Sequence, residues 1–123
     1  MPAQRPYPVF LLIAGKPCLV VGGGKIACRK INDLVDCGAM VTVVAENTLP
    51  EMEQLSEKGT IRIYRRRFEP GDVRGMTIVI AATDDDEINA SVAGYARAEG
   101  ITVNEDDNIS ASDFISCPVF RRG

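Results

Sequence analysis

The chain has 123 residues, 46% hydrophobic and 25% charged, which suits one soluble domain with a modest core. Its formal charge of −3 leaves no excess of Lys and Arg for a non-specific grip on nucleic acid. There is no histidine, which excludes His-based catalytic triads and leaves carboxylates, Lys, Tyr or Cys as the available acids and bases.

In chain order, residues 9–13 read as a short apolar strand and residues 14–16 as a turn. Residues 17–21 are a second apolar strand, so a hairpin between the two is expected. Gly22, Gly23 and Gly24 follow, and then a helix over residues 25–37, with Ile26, Ala27, Ile31, Leu34 and Val35 at helical spacing. Gly38 stands where a helix stop is expected. Residues 41–45 form a β-branched strand. Residues 49–58 form a helix, with Pro50 in its first turn and Gly59 at its end.

Residues 61–64 alternate and predict a more exposed strand. Residues 65–75 read as a polar connection with a turn at Pro70 and Gly71, and Arg65, Arg66 and Arg67 as a surface charge run outside any site. Residues 77–82 are a buried strand. Asp84 and Glu87 have capping-box spacing at the start of a helix running to about residue 98. Residues 101–104 are the next strand, residues 105–113 an acidic loop, and residues 115–120 a last candidate strand. Apolar strands alternating with helices predict an α/β fold with a mainly parallel sheet and helices on both faces.

The four cysteines, Cys18, Cys28, Cys37 and Cys117, make no C-x-x-C pair. Reduced, mostly buried thiols of a cytoplasmic protein are expected, with no metal site. No apolar run reaches membrane-spanning length, and no secretory signal is expected.

The sharpest local signal is the stretch from Leu19 to Ala27, which reads G-x-G-x-x-A between a strand and a helix. That is the dinucleotide fingerprint of a Rossmann-type domain. Gly22 serves the tight turn, Gly24 the approach of a pyrophosphate to bare backbone, and Ala27 the close packing of helix on sheet. The amides of Lys25 and Ile26 open the helix, whose N-terminus favours phosphate. Glu46 lies 22 positions beyond Gly24, at the end of the next strand, where a carboxylate would bind ribose hydroxyls and favour NAD over NADP. Thr83 and Asp84 follow a strand at the same sheet edge, and so does Asn104. Asp84 suits helix capping, and Asp85 and Asp86 suit solvent.

Four segments together resemble the N-terminal domain of siroheme synthase, the precorrin-2 dehydrogenase and sirohydrochlorin ferrochelatase family. They are Pro8 to Leu11; Val20 to Lys30, which resembles V-V-G-G-G-x-x-A-x-R-K; Ala81 to Asp85 with Asn89; and Asn104 to Asp107 with Asp113 to Ile115 and Arg121, Arg122 and Gly123. The resemblance implies one NAD-binding domain over residues 1–123, with the family's dimerisation and C-terminal helical segments missing. It implies NAD-dependent oxidation of precorrin-2 to sirohydrochlorin, followed in bifunctional members by insertion of ferrous iron. It implies a homodimer for the full-length protein, and no nucleic-acid or membrane partner. The family's key aspartate falls on Asp107, as general base or aid to metal insertion. Arg29, Lys30, Arg121 and Arg122 become candidate partners for the carboxylates that ring the tetrapyrrole. The alternative class is an NAD-binding sensor module without dehydrogenase activity, which needs the glycine turn and Glu46 but not Asp107.

Overall fold

The computed structural model describes residues 5–105 and 112–115. Its centre is a five-stranded, all-parallel sheet in the order β3-β2-β1-β4-β5. The strands are β1 (Pro17–Val21), β2 (Met40–Val44), β3 (Ile61–Tyr64), β4 (Ile78–Ala81) and β5 (Thr102–Glu105). The helices are α1 (Lys25–Asp36), α2 (Pro50–Glu57) and α3 (Asp86–Ala98), and a single 3₁₀ turn, Pro70–Val73, lies between β3 and β4. The expected Rossmann-type α/β architecture is therefore the one observed.

The continuous apolar character of β1, β2 and β4 follows from burial on both faces. Cys18 and Val20 of β1 join Val41 and Val43 of β2 and Ile78 and Ile80 of β4 on one face, where Ala27, Ile31 and Leu34 of α1 and Met52 of α2 pack. Leu19, Val21, Val79, Ala81 and Val103 face the other way, against Val73 of the 3₁₀ turn and Val92, Ala93 and Ala96 of α3. β3 alternates buried Ile61 and Ile63 with exposed Arg62 and Tyr64, as its sequence predicts.

Three expectations are corrected. Residues 9–13 form no strand and no hairpin with β1; residues 9–12 are exposed and only Ile13 is buried. The reason is topological: β2 and β4 occupy both edges of β1, so it has no edge left for an antiparallel partner. Residues 13–16 instead turn into β1, with the Lys16 amide donating to the Ile13 carbonyl at 2.9 Å. Second, the cap of α3 is Asp85, one residue after the expected Asp84. Its carboxylate accepts from the amides of Glu87 and Ile88 at 2.9 and 3.3 Å. Third, Ile115 is not in a strand, and the rest of the 115–120 segment lies outside the described residues. Cys18 and Cys28 are buried free thiols, whereas Cys37 is exposed. Burial pushes both buried thiols above their ordinary range. No helix among the described residues is long and apolar enough to cross a membrane.

Candidate functional site

β1 ends where the sheet order reverses: β2 and β3 lie to one side, β4 and β5 to the other. Crevices at such switch points, beyond the carboxyl ends of parallel strands, are where α/β folds hold ligands. The glycine turn is stitched to both neighbours. The Gly22 amide donates to the Val44 carbonyl at 3.0 Å, and the Ala82 amide donates to the Val21 carbonyl at 2.8 Å.

Two of the three glycines are required by the chain itself. Gly22 has φ of +139°, and a Cβ there would run into the Ala82 carbonyl. A Cβ at Gly23 would run into the Asn47 carbonyl and press on Ala45 Cβ at 3.1 Å. Gly23, the variable position of the fingerprint, is thus as crowded as the positions that define it. Gly24 differs. Its backbone is extended, and a Cβ there meets nothing within 4 Å. The space beside it opens into a cleft of about 860 Å³.

The helix that starts at this cleft keeps its N-terminus bare. α1 has Gly24 as N-cap with no side-chain cap, and no acid in its first turn. By contrast, α2 carries Glu51 and Glu53 in its first turn, and α3 carries Asp86 and Glu87 behind the Asp85 cap. Unfilled first-turn amides and an uncancelled dipole make α1 the helix suited to a phosphate. A dinucleotide diphosphate fits the residues present here: bare amides, open space at Gly24 and no acid in the first turn of α1.

Gly22, Gly23, Gly24, Lys25 and Ile26 line the cleft. Ala27 does not; it is fully buried against the sheet, as its packing role requires. Glu46 lines one wall beside Asn47, and Thr83 and Asp84 line the other. Thr83 is fixed by Asn89, a buried residue outside the sequence-predicted site. The Thr83 hydroxyl and amide both donate to Asn89 Oδ1, at 2.7 and 3.0 Å, and Asn89 Nδ2 donates back to the Thr83 carbonyl at 3.0 Å.

The run at residues 65–67 is only partly outside the site: Arg65 pairs with Glu53 away from the cleft, but Arg66 and Arg67 line it, as does Phe68. Arg66 donates to both carboxylate oxygens of Asp72 at 2.9 and 2.7 Å and lies 5.3 Å from the Tyr64 ring centre. Burial alone would push the Asp72 carboxyl up. The Arg66 hydrogen bonds, the Glu69 amide and the Arg66 charge outweigh that and hold it below its ordinary value. Arg67 Nε lies 3.4 Å from Glu46 Oε1. The available signal was position: these residues directly follow β3, at the same carboxyl edge as Glu46.

Arg29 lies instead in a shallow hollow between α1 and α2 with Asn32 and Glu51, and Lys30 lines neither depression. Asn104 is buried at the end of β5. Its Nδ2 donates to the Phe114 carbonyl at 2.9 Å, Oδ1 has no hydrogen-bond partner among the described residues, and the residue does not line the cleft. Asp107, Arg121 and Arg122 lie outside the described residues.

The NAD_binding_7 family model, whose description is NAD(P)-binding, matches residues 9–117. The chain belongs to this NAD(P)-binding family. This family member is 45% identical over 108 residues to the siroheme synthase of Methylococcus capsulatus, covering 88% of the chain and 23% of that relative. It is 41% identical over 116 residues to the siroheme synthase of Chromobacterium violaceum, covering 94% of the chain and 25% of the relative. A solved structure described as SirC, precorrin-2 dehydrogenase, superposes with a TM-score of 0.78 at 30% identity, covering 95% of this chain and 57% of that one. The expected kinship with the N-terminal domain of siroheme synthase is borne out. The chain spans about a quarter of the length of the siroheme synthases it matches.

Proposed function

We propose that this chain is the coenzyme-binding domain of a cytoplasmic, NAD-dependent dehydrogenase that oxidises precorrin-2 to sirohydrochlorin. The observation that carries the reading is the bare N-terminus of α1 over the open space at Gly24, in a chain so similar to siroheme synthases. The amides of Gly23, Gly24, Lys25 and Ile26 hold the diphosphate, and Glu46 accepts the hydroxyls of the adenosine ribose. Thr83 and Asp84 flank the coenzyme on the β4 side, with Asn89 locking Thr83 in place. Asn104, at the carboxyl end of β5, completes the set of coenzyme-binding residues.

When bound, NAD+ accepts the hydride that leaves the substrate. The accompanying proton goes to a base, and Asp107 takes that role. Arg121 and Arg122 pair with substrate carboxylates, joined by Arg29 and Lys30 only where the tetrapyrrole reaches beyond the coenzyme cleft, which neither of the two lines. Ferrous iron is a second substrate of the same cleft, with Asp107 assisting loss of the pyrrole protons. The full-length protein is a homodimer, in which further segments complete the tetrapyrrole cleft around this single domain of residues 1–123.

The test is absorbance of NADH and of sirohydrochlorin on adding precorrin-2 and NAD+ to the native polypeptide that carries this domain. Turnover is expected, and Asp107→Ala lowers kcat by about 10²–10⁴-fold with little change in NAD+ affinity. NAD+ binding with no oxidation in the unsubstituted protein would favour a sensor module instead. An unchanged rate in Asp107→Ala would remove that residue from the mechanism.

A further inference from the structure

The three consecutive arginines after β3 have three different partners. Arg65 is tied to Glu53 of α2. Arg66 is held by both oxygens of Asp72 and lies against Tyr64. Arg67 reaches into the cleft and meets Glu46 at 3.4 Å, with their side chains 87% and 60% exposed. An ion pair so open to water contributes little to folding. Either partner can therefore exchange the other for a ligand at small cost.

We propose that Glu46 and Arg67, facing one another across the adenosine end of the cleft, together read the 2′ position of the coenzyme ribose, so that NADP+ is admitted as well as NAD+. The inference rests on the reading of this cleft as a dinucleotide site. A lone carboxylate at the end of β2 accepts the two ribose hydroxyls of NAD+. It also repels a 2′-phosphate, whose charge near neutral pH is about −1.5 to −2. A guanidinium beside that carboxylate cancels much of the repulsion, and its planar fork matches phosphate oxygens in two-point geometry.

Arg66 supports the arrangement without taking part in it. Its Nη1 donates to the Arg67 carbonyl at 2.9 Å. The Asp72–Arg66 clamp thus pins the Arg67 backbone at the cleft wall, while the exposed side chain is left to turn between Glu46 and a phosphate. Glu46 is then the NAD+ contact and Arg67 the NADP+ contact, and coenzyme preference is set by the pair.

The experiment is calorimetric titration of the chain with NAD+ and, separately, with NADP+, for the unsubstituted protein, Arg67→Ala, Arg67→Lys and Glu46→Gln. Both side chains are exposed, so the substitutions leave the core untouched. The unsubstituted protein should bind both coenzymes. Arg67→Ala should weaken NADP+ by about tenfold or more and NAD+ by less than about threefold, with Arg67→Lys recovering part of the loss. Glu46→Gln should shift the ratio toward NADP+ by about tenfold. Equal weakening of both coenzymes by Arg67→Ala would overturn the assignment and leave the dinucleotide site standing. So would NAD+ binding with no NADP+ binding in any variant. Binding of neither coenzyme by the unsubstituted protein would remove the dinucleotide reading itself, and this assignment with it.

Discussion

Gly23→Ala and Gly24→Ala should fail in different ways, although the residues are neighbours. At position 23 a methyl group collides with the Asn47 backbone, so the connection between β2 and α2 has to shift. Chemical denaturation should show a loss of about 2 kcal/mol or more, the scale of overpacking and backbone strain. At position 24 the methyl group enters open space on extended backbone, so stability should fall by no more than about 1 kcal/mol, the cost of a poorer N-cap. NAD+ affinity should nevertheless drop, because that space is where the diphosphate would sit. A Gly24→Ala protein that binds NAD+ as well as its parent would separate the turn from the ligand. The Asp72 carboxyl gives a residue-scale prediction in pH. Its folded value is held below the ordinary 3.8, so the carboxylate stabilises the fold above that pH. The contribution disappears as pH falls through the lower, folded value. Asp72→Asn should cost about 1 kcal/mol at neutral pH and flatten the stability profile below pH 4, read by urea titrations across that range.

The termini of the helices separate structural acids from a ligand site. Asp85→Ala should destabilise α3 by about 1 kcal/mol, the usual value of a lost N-cap. Asp84→Ala should be nearly neutral, because the cap hydrogen bonds come from Asp85. Thermal melts of the two variants check this, and equal effects would contradict the assignment. The sequence led to Asp84 because its spacing to Glu87 satisfies the capping-box pattern. α3 starts one residue later than that pattern assumes, with Asp85 as its N-cap and Thr83 bound back to Asn89. The alternating and β-branched strands, by contrast, were legible because burial on one or both faces writes itself directly into residue choice. The apolar run at residues 9–13 carries the same signal without the same result. Whether such a run becomes a strand depends on a free sheet edge, and edge occupancy is a property of the whole topology.

At the scale of the molecule, the floor of the cleft was readable and its walls were only partly so. Gly22 to Ile26 form one contiguous motif whose strand-turn-helix context can be recognised locally, and Glu46 and Thr83 lie at predictable strand ends. Arg66 and Arg67 read in the sequence as a solvated charge run, because composition cannot say which strand end a charged residue follows in space. Only the order β3-β2-β1-β4-β5 carries them to the Glu46 side of the glycine turn. Arg29, although within the family-like motif, follows the helix surface into a different hollow. Dinucleotide binding should stabilise the whole sheet, since it joins the ends of β1, β2 and β4. NAD+ at about a hundred times its Kd should add about 2.7 kcal/mol. The most direct measurement is a titration of the isotopically labelled chain with NAD+, followed by the amide resonances. Saturable shifts should centre on Gly23, Gly24, Lys25 and Ile26 and extend to Glu46 and Thr83. Association with no change at the first turn of α1, or shifts confined to the hollow beside Arg29, would contradict the account.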